Sequence, residues 1–244
     1  LPHAELIVPD DSIFESYKGK FPEKPYKGQD YIGPQTGHGY TSQQYPHATF
    51  AAMVTRLDMY LGQIMEKLRQ KGLDKNTLVI FTSDNGPHIE GGADPAFFHS
   101  SGIYRGVKRD LYEGGIREPF VAWWPGVIQP HSTSNFAGAF WDILPTFANL
   151  AGAPVPDSID GISFLPSLTG KGRQHQHAYL YWELHESGGK QAVRMGNWKA
   201  VKLNADKGSG KSTVELYNLN NDPGEKNNVA SQHPEIVKQL NGIM

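Results

Sequence analysis

Apolar positions along the chain change their spacing from one stretch to the next, and the changes mark out elements. From Pro46 to Lys71, the residues Phe50, Met53, Val54, Leu57, Tyr60, Leu61, Ile64, Met65 and Leu68 recur at the three-and-four spacing of one helix face, closed by Gly72. A long amphipathic helix is expected there. Leu73-Asp74-Lys75-Asn76 then turns into Thr77-Leu78-Val79-Ile80-Phe81-Thr82, an apolar run with no polar alternation, which suits a strand covered on both faces. Phe120 to Trp124, stopped by Pro125-Gly126, predicts a second strand, and Trp141 to Leu150 a short helix ending near Gly152. Beyond Gly170-Lys171-Gly172-Arg173 the texture shifts. Ala178 to Trp182, Gln191 to Arg194, Trp198 to Leu203 and Glu215 to Leu219 read as short strands between turns, and Ile236, Val237 and Leu240 give the tail one helical face. The expected division is an α/β region over 1–172 and a small α+β subdomain, antiparallel sheet plus helix, over 173–244. Between Pro9 and Tyr45, Pro, Gly, Lys and Tyr crowd together without a period, as in a long irregular connection of the kind that carries function.

Composition narrows the classes. A chain of 244 residues can hold one substantial core and a small second one. Its formal net charge of −2, with acids and bases interspersed, offers nucleic acid or an anionic membrane no bulk attraction. With no cysteine, disulfides, thiolate metal sites and a thiol nucleophile are excluded from this stretch. No apolar run approaches the roughly 18 residues of a membrane span. The opening Leu1-Pro2-His3-Ala4-Glu5-Leu6 lacks an initiating Met and the make-up of a signal peptide, and reads like the interior of a folded region. The expectation is a C-terminal portion of a longer protein.

Two clusters bear candidate chemistry. Thr82-Ser83-Asp84-Asn85-Gly86 follows the first strand, where open α/β sheets place ligands, and a carboxylate beside a carboxamide offers two hard oxygens to calcium or magnesium. The same Asn-Gly pair also makes a tight turn. Arg105-Gly106-Val107-Lys108-Arg109, continuing to Tyr112-Glu113-Gly114-Gly115-Ile116-Arg117-Glu118-Pro119, crowds cations and glycines before the second strand. Such a loop suits an anion, and a solvated charged loop is its plainer reading. His3 has the ordinary near-neutral imidazole chemistry of a general acid. His88 and His99, flanking the Asp84-Asn85 loop, and His185 in the small subdomain are candidates for lining a polar substrate pocket. The remaining histidines, His38, His47, His131, His175 and His177 among them, are expected to be surface or packing residues. Ala205-Asp206-Lys207-Gly208-Ser209-Gly210-Lys211-Ser212 imitates a phosphate-binding loop. It is followed by a strand pattern where a helix N-terminus is needed, so it is expected to be a hairpin loop.

Thr82-Ser83-Asp84-Asn85-Gly86-Pro87, then Arg105-Gly106-x-Lys108 and Tyr112-Glu113-Gly114-Gly115-x-Arg117-x-Pro119, together resemble the type I, formylglycine-dependent sulfatase family of arylsulfatase-like enzymes. Pro2-His3-Ala4, Trp123-x-Pro125-Gly126, Asp160-Gly161 and Leu216-Tyr217-Asn218-Leu219-x-x-Asp222-Pro223-x-Glu225 extend the resemblance over the whole chain. It implies an alkaline-phosphatase-like α/β fold, a mixed sheet flanked by helices, with a small C-terminal subdomain. It implies cleavage of sulfate esters of sulfated sugars or aryl groups, with calcium as cofactor and a formylglycine nucleophile. In those roles Asp84 and Asn85 ligate calcium, Lys108 contacts the sulfate and His3 protonates the leaving oxygen; Arg105, with His88, His99 and His185 by their positions, is expected to bind the substrate. It also implies a periplasmic or secreted location and a sulfated small molecule or glycan as partner. The Cys/Ser-x-Pro-x-Arg sequence that yields formylglycine does not occur in the chain, so the nucleophile is expected upstream and this polypeptide alone is expected to lack turnover. Two rival readings are a phosphodiesterase or phosphonate hydrolase of the same superfamily, and a non-catalytic binding domain that keeps the fold.

Overall fold

The computed structural model describes residues 3–30, 39–207 and 212–244. The chain divides into two compact units, the first made of Leu1–Leu73 with Asp84–Glu118 and the second of Asp74–Ser83 with Pro119–Met244.

In the first unit a helical turn, α1 (Ser12–Glu15), interrupts the proline-rich connection, and the long helix α2 (Pro46–Gln70) follows. Asp11 organises the entry. One carboxylate oxygen caps α1 by accepting from the Ile13 and Phe14 amides, and the other binds the Arg56 guanidinium of α2, which holds the Asp11 carboxyl below the usual carboxylate range. α2 lacks a side-chain cap from its own N-terminal residue Tyr45, and the connection supplies one. Glu23 accepts from the amides of His47 at 2.8 Å and Ala48 at 2.9 Å, satisfying orphan donors at the positive end of the helix dipole. Phe14, Ala48 and Ala52 form the buried seam between the two helices. The connection is thus more ordered than its composition suggests, with Tyr26 and Gln43 bridged backbone to backbone.

Two further helical turns, α3 (Pro95–Phe98) and α4 (Glu113–Ile116), belong to the same unit.

In the second unit β1 (Val79–Thr82) pairs antiparallel with β2 (Phe120–Trp123), Val79 opposite Trp123 and Thr82 opposite Phe120. The unalternated apolar run of β1 is half-buried along its length. α5 (Ile143–Ala151) ends at Gly152 with φ 65°, as the glycine there predicts, and α6 (Leu165–Thr169) follows. The remaining strands, β3 (Leu180–Leu184), β4 (Lys190–Met195), β5 (Trp198–Leu203) and β6 (Thr213–Asn218), form the expected antiparallel sheet in sequential order. α7 (Pro234–Asn241) places Leu240 against Val193, Ala200 and Leu216. Of the phosphate-loop look-alike, Ala205–Lys207 is a single 3-10 turn and 208–211 lie outside the described residues, as does His38.

No helix among the described residues is long and apolar enough to cross a membrane.

Candidate functional site

The candidate site is built where two loops of the first unit meet. Asp84-Asn85-Gly86 leaves β1, and its Gly86 amide donates to the Gly115 carbonyl at 3.0 Å. A side chain on Gly86 would be driven into the Gly114 carbonyl, so the Asn-Gly pair and the Gly-Gly pair are required by one another's approach. The basic loop is tied to the same place, for the Lys108 amide donates to the Pro87 carbonyl at 2.8 Å and the Gly114 amide to the Arg105 carbonyl at 2.6 Å. Asp110 tightens the turn by accepting from the Val107 amide at 3.1 Å.

Within this frame most of the cations are already engaged. The Arg105 guanidinium lies 3.8 Å from the Tyr112 ring centre, that of Arg117 lies 4.6 Å from the Tyr104 ring centre and 3.4 Å from the Glu113 carboxylate, and Arg109 is ion-paired with Glu90. Lys108 is the exception. It is half-buried, and no carboxylate among the described residues pairs with it. A partly desolvated ammonium without a counter-ion is a receptor for an anion.

His88 lies beside it, 8% exposed. Its Nδ1 sits 3.2 Å from the Glu90 carbonyl oxygen, which can only accept, so Nδ1 carries the proton in the neutral ring. Burial, and after it the positive charge of Lys108, hold the imidazole down at about 4; the charges of His3 and Arg109 act in the same direction, and a hydrogen bond with the His3 backbone opposes them. His3, His88, Lys108 and Arg109 therefore share one electrostatic neighbourhood. Gly91, at φ 66°, packs so closely on the Ala4 carbonyl that no side chain fits, which brings the His3-Ala4 segment to the loop after the Asp84-Asn85 turn.

Asp84 is exposed and Asn85 half-buried, and the Asn85 Nδ2 donates to the Gly86 carbonyl at 2.9 Å. Burial, and after it the nearby Asp84 charge, push the Glu118 carboxyl up to about 7, and its Oε1 is buried without a hydrogen bond. That excess of carboxylate oxygen fits a cation at Asp84 and Asn85. Among the described residues no group of three or more His, Cys, Asp or Glu gathers as a metal site, so Asp84 and Asn85 could supply only part of a cation's shell.

Of the other candidates, His99 is exposed at the left-handed C-cap of α3, with φ 50°, and Arg105 is exposed on Tyr112. His185 belongs to the second unit, 76% exposed between Glu183 and Asp206. Glu90, Arg109 and Glu118 were not singled out from the sequence. Glu118 stood in the Gly-Gly-x-Arg-x-Pro motif, and Glu90 had no local signal at all.

Comparison with known proteins gives a consistent answer. The sulfatase family model matches residues 11–153, and a model described as N-sulphoglucosamine sulphohydrolase, C-terminal, matches 102–244. An N-acetylgalactosamine-6-O-sulfatase of Bacteroides thetaiotaomicron is 33% identical over 88% of this chain and 46% of its own length. Human arylsulfatase A is 35% identical over 78% of this chain and 41% of its own. A solved structure in complex with its substrate D-glucosamine-2-N,6-O-disulfate is similar at 26% identity and a TM-score of 0.65, covering 82% of this chain and 40% of that one. The chain spans about half the length of the curated relatives it matches. The mixed α/β architecture is that of the alkaline-phosphatase-like sulfatase structures.

Proposed function

Starting from the premise that this chain belongs to the sulfatase family, we propose that it contributes the calcium, sulfate and proton-donor side of an active site that hydrolyses sulfate esters, with a sulfated sugar as substrate. The observation that carries the reading is Lys108: in a loop where Arg109 and Arg117 are ion-paired and Arg105 is stacked, its ammonium alone lacks such an engagement among the described residues. Lys108 would meet a sulfate oxygen and stabilise the charge that gathers on the sulfuryl group as the ester bond breaks. His3 would protonate the departing sugar oxygen. Asp84 and Asn85 would hold calcium, which when bound would supply a second positive charge to stabilise the sulfuryl group. The orphaned Glu118 oxygen and the mutual repulsion of Glu118 and Asp84 support a cation there. A formylglycine nucleophile would come from outside these residues, since the chain has no cysteine and no Ser-x-Pro-x-Arg sequence. Arg105, His88 and His99 would face the substrate, and the location would be periplasmic or secreted.

The reading is tested with the protein extended to the length of its relatives. It should release inorganic sulfate from sulfated monosaccharides and lose that activity on chelation of calcium, while this chain alone should show none. Exclusive hydrolysis of phosphate diesters or phosphonates would assign it to the neighbouring chemistry instead. Binding of sulfated sugars by the extended protein with no hydrolysis would make it a binding domain.

A further inference from the structure

Glu90 and Arg109 are unused by the reading above, yet both lie against its centre, next to His88 and Lys108. Lys108 and Arg109 are consecutive cations, and an anion at Lys108 would attract both. The backbone separates them. Arg109 has φ 74°, a conformation that residues with a side chain rarely adopt, and the turn is closed by the Asp110 amide donating to the Val107 carbonyl at 2.9 Å. The reversal sends the Arg109 guanidinium to the carboxylate of Glu90, which is 8% exposed. The second carboxylate oxygen of Glu90 lies 3.7 Å from His88 Nδ1, and the Glu90 carbonyl holds the same nitrogen at 3.2 Å. On the other side of Arg109 the Lys108 amide is fixed on the Pro87 carbonyl.

We propose that Glu90 is a positioning residue for the anion site: by binding Arg109 it fixes the Lys108 backbone and leaves a single cation to meet the sulfate. A buried carboxylate is costly unless paired, and here the pairing partner is the one neighbour whose release would disturb Lys108. The role rests on the sulfatase reading, because it acts through Lys108.

The test uses the extended protein and two probes, a sulfated sugar in steady-state turnover and inorganic sulfate as a competitive inhibitor. Glu90→Gln is expected to weaken inhibition by sulfate and to lower kcat/KM by about tenfold or more, the scale of a small misplacement of a charged group, and Glu90→Asp to recover part of the loss. If Glu90→Gln proves unable to fold, Arg109→Lys, which keeps the charge but loses the planar fork, should give the same loss. Wild-type sulfate inhibition and turnover in folded Glu90→Gln or Arg109→Lys protein would overturn the proposal while leaving the sulfatase reading intact. If the unsubstituted extended protein neither cleaves sulfate esters nor binds sulfate, that reading fails and this one with it.

Discussion

Single residues in this chain carry unusually large electrostatic obligations. Lys199 on β5 and Glu225 in the turn after β6 are both fully buried and paired at 3.0 Å, so neither charge has access to water. Removing one partner takes from the other the opposite charge it meets at 3.0 Å out of reach of water. Glu225→Ala should therefore cost roughly 3–5 kcal/mol of stability in denaturant unfolding, and the double replacement Lys199→Met with Glu225→Leu should recover most of it. His88 imposes a pH dependence of definite sign. Its folded-state value of about 4 lies below the ordinary 6.5, so between those limits the unfolded chain binds more protons than the folded one. Stability contributed by the neutral ring is complete above about 6.5 and is lost as pH falls toward 4. Unfolding by urea at about pH 7 and pH 5 should differ by up to ~2 kcal/mol from this group, and His88→Gln should remove that part of the difference.

At the scale of elements, two loops define the site and each depends on glycine in the other. Gly86→Ala would push a methyl group into the Gly114 carbonyl and part the Asp84-Asn85 turn from the basic loop. Calorimetric titration of calcium into the extended protein should then give weaker binding, by about tenfold or more, since coordination needs oxygens held in place. Much of this level was legible in the sequence. The stripe from Phe50 to Leu68 lies on α2, Trp198 to Leu203 is β5, and Gly152 ends α5, because periodicity and glycine conformation are local properties. Other features were set by tertiary partners. β3 lies at Leu180–Leu184, later than its aromatic run suggested, because the ladder to β4 fixes the register through Leu184 and Lys190. The apolar character of β1 indicated a sheet strand but carried no information on the direction of its neighbour, which is antiparallel. Glu23 as the cap of α2 and Glu90 as the partner of Arg109 were illegible for the same reason. Each acts on residues far along the chain, and nothing adjacent in sequence announces it.

For the whole molecule, the motif set and the sulfatase membership agree, and the chain spans about half the length of its curated relatives. The proposed division of labour follows from what these residues hold: two hard-oxygen side chains, an ammonium without a carboxylate partner among the described residues, and an imidazole, but no Cys/Ser-x-Pro-x-Arg sequence. On the proposed reading, turnover belongs to the extended protein. The measurement that bears most directly on the account is its steady-state hydrolysis of a sulfated sugar with and without Lys108→Ala. A lost charge contact to the reacting group is worth about 100- to 1000-fold in kcat, so the account predicts a fall of that size in a variant that unfolds at the wild-type temperature. A folded Lys108→Ala enzyme with unchanged turnover would contradict it.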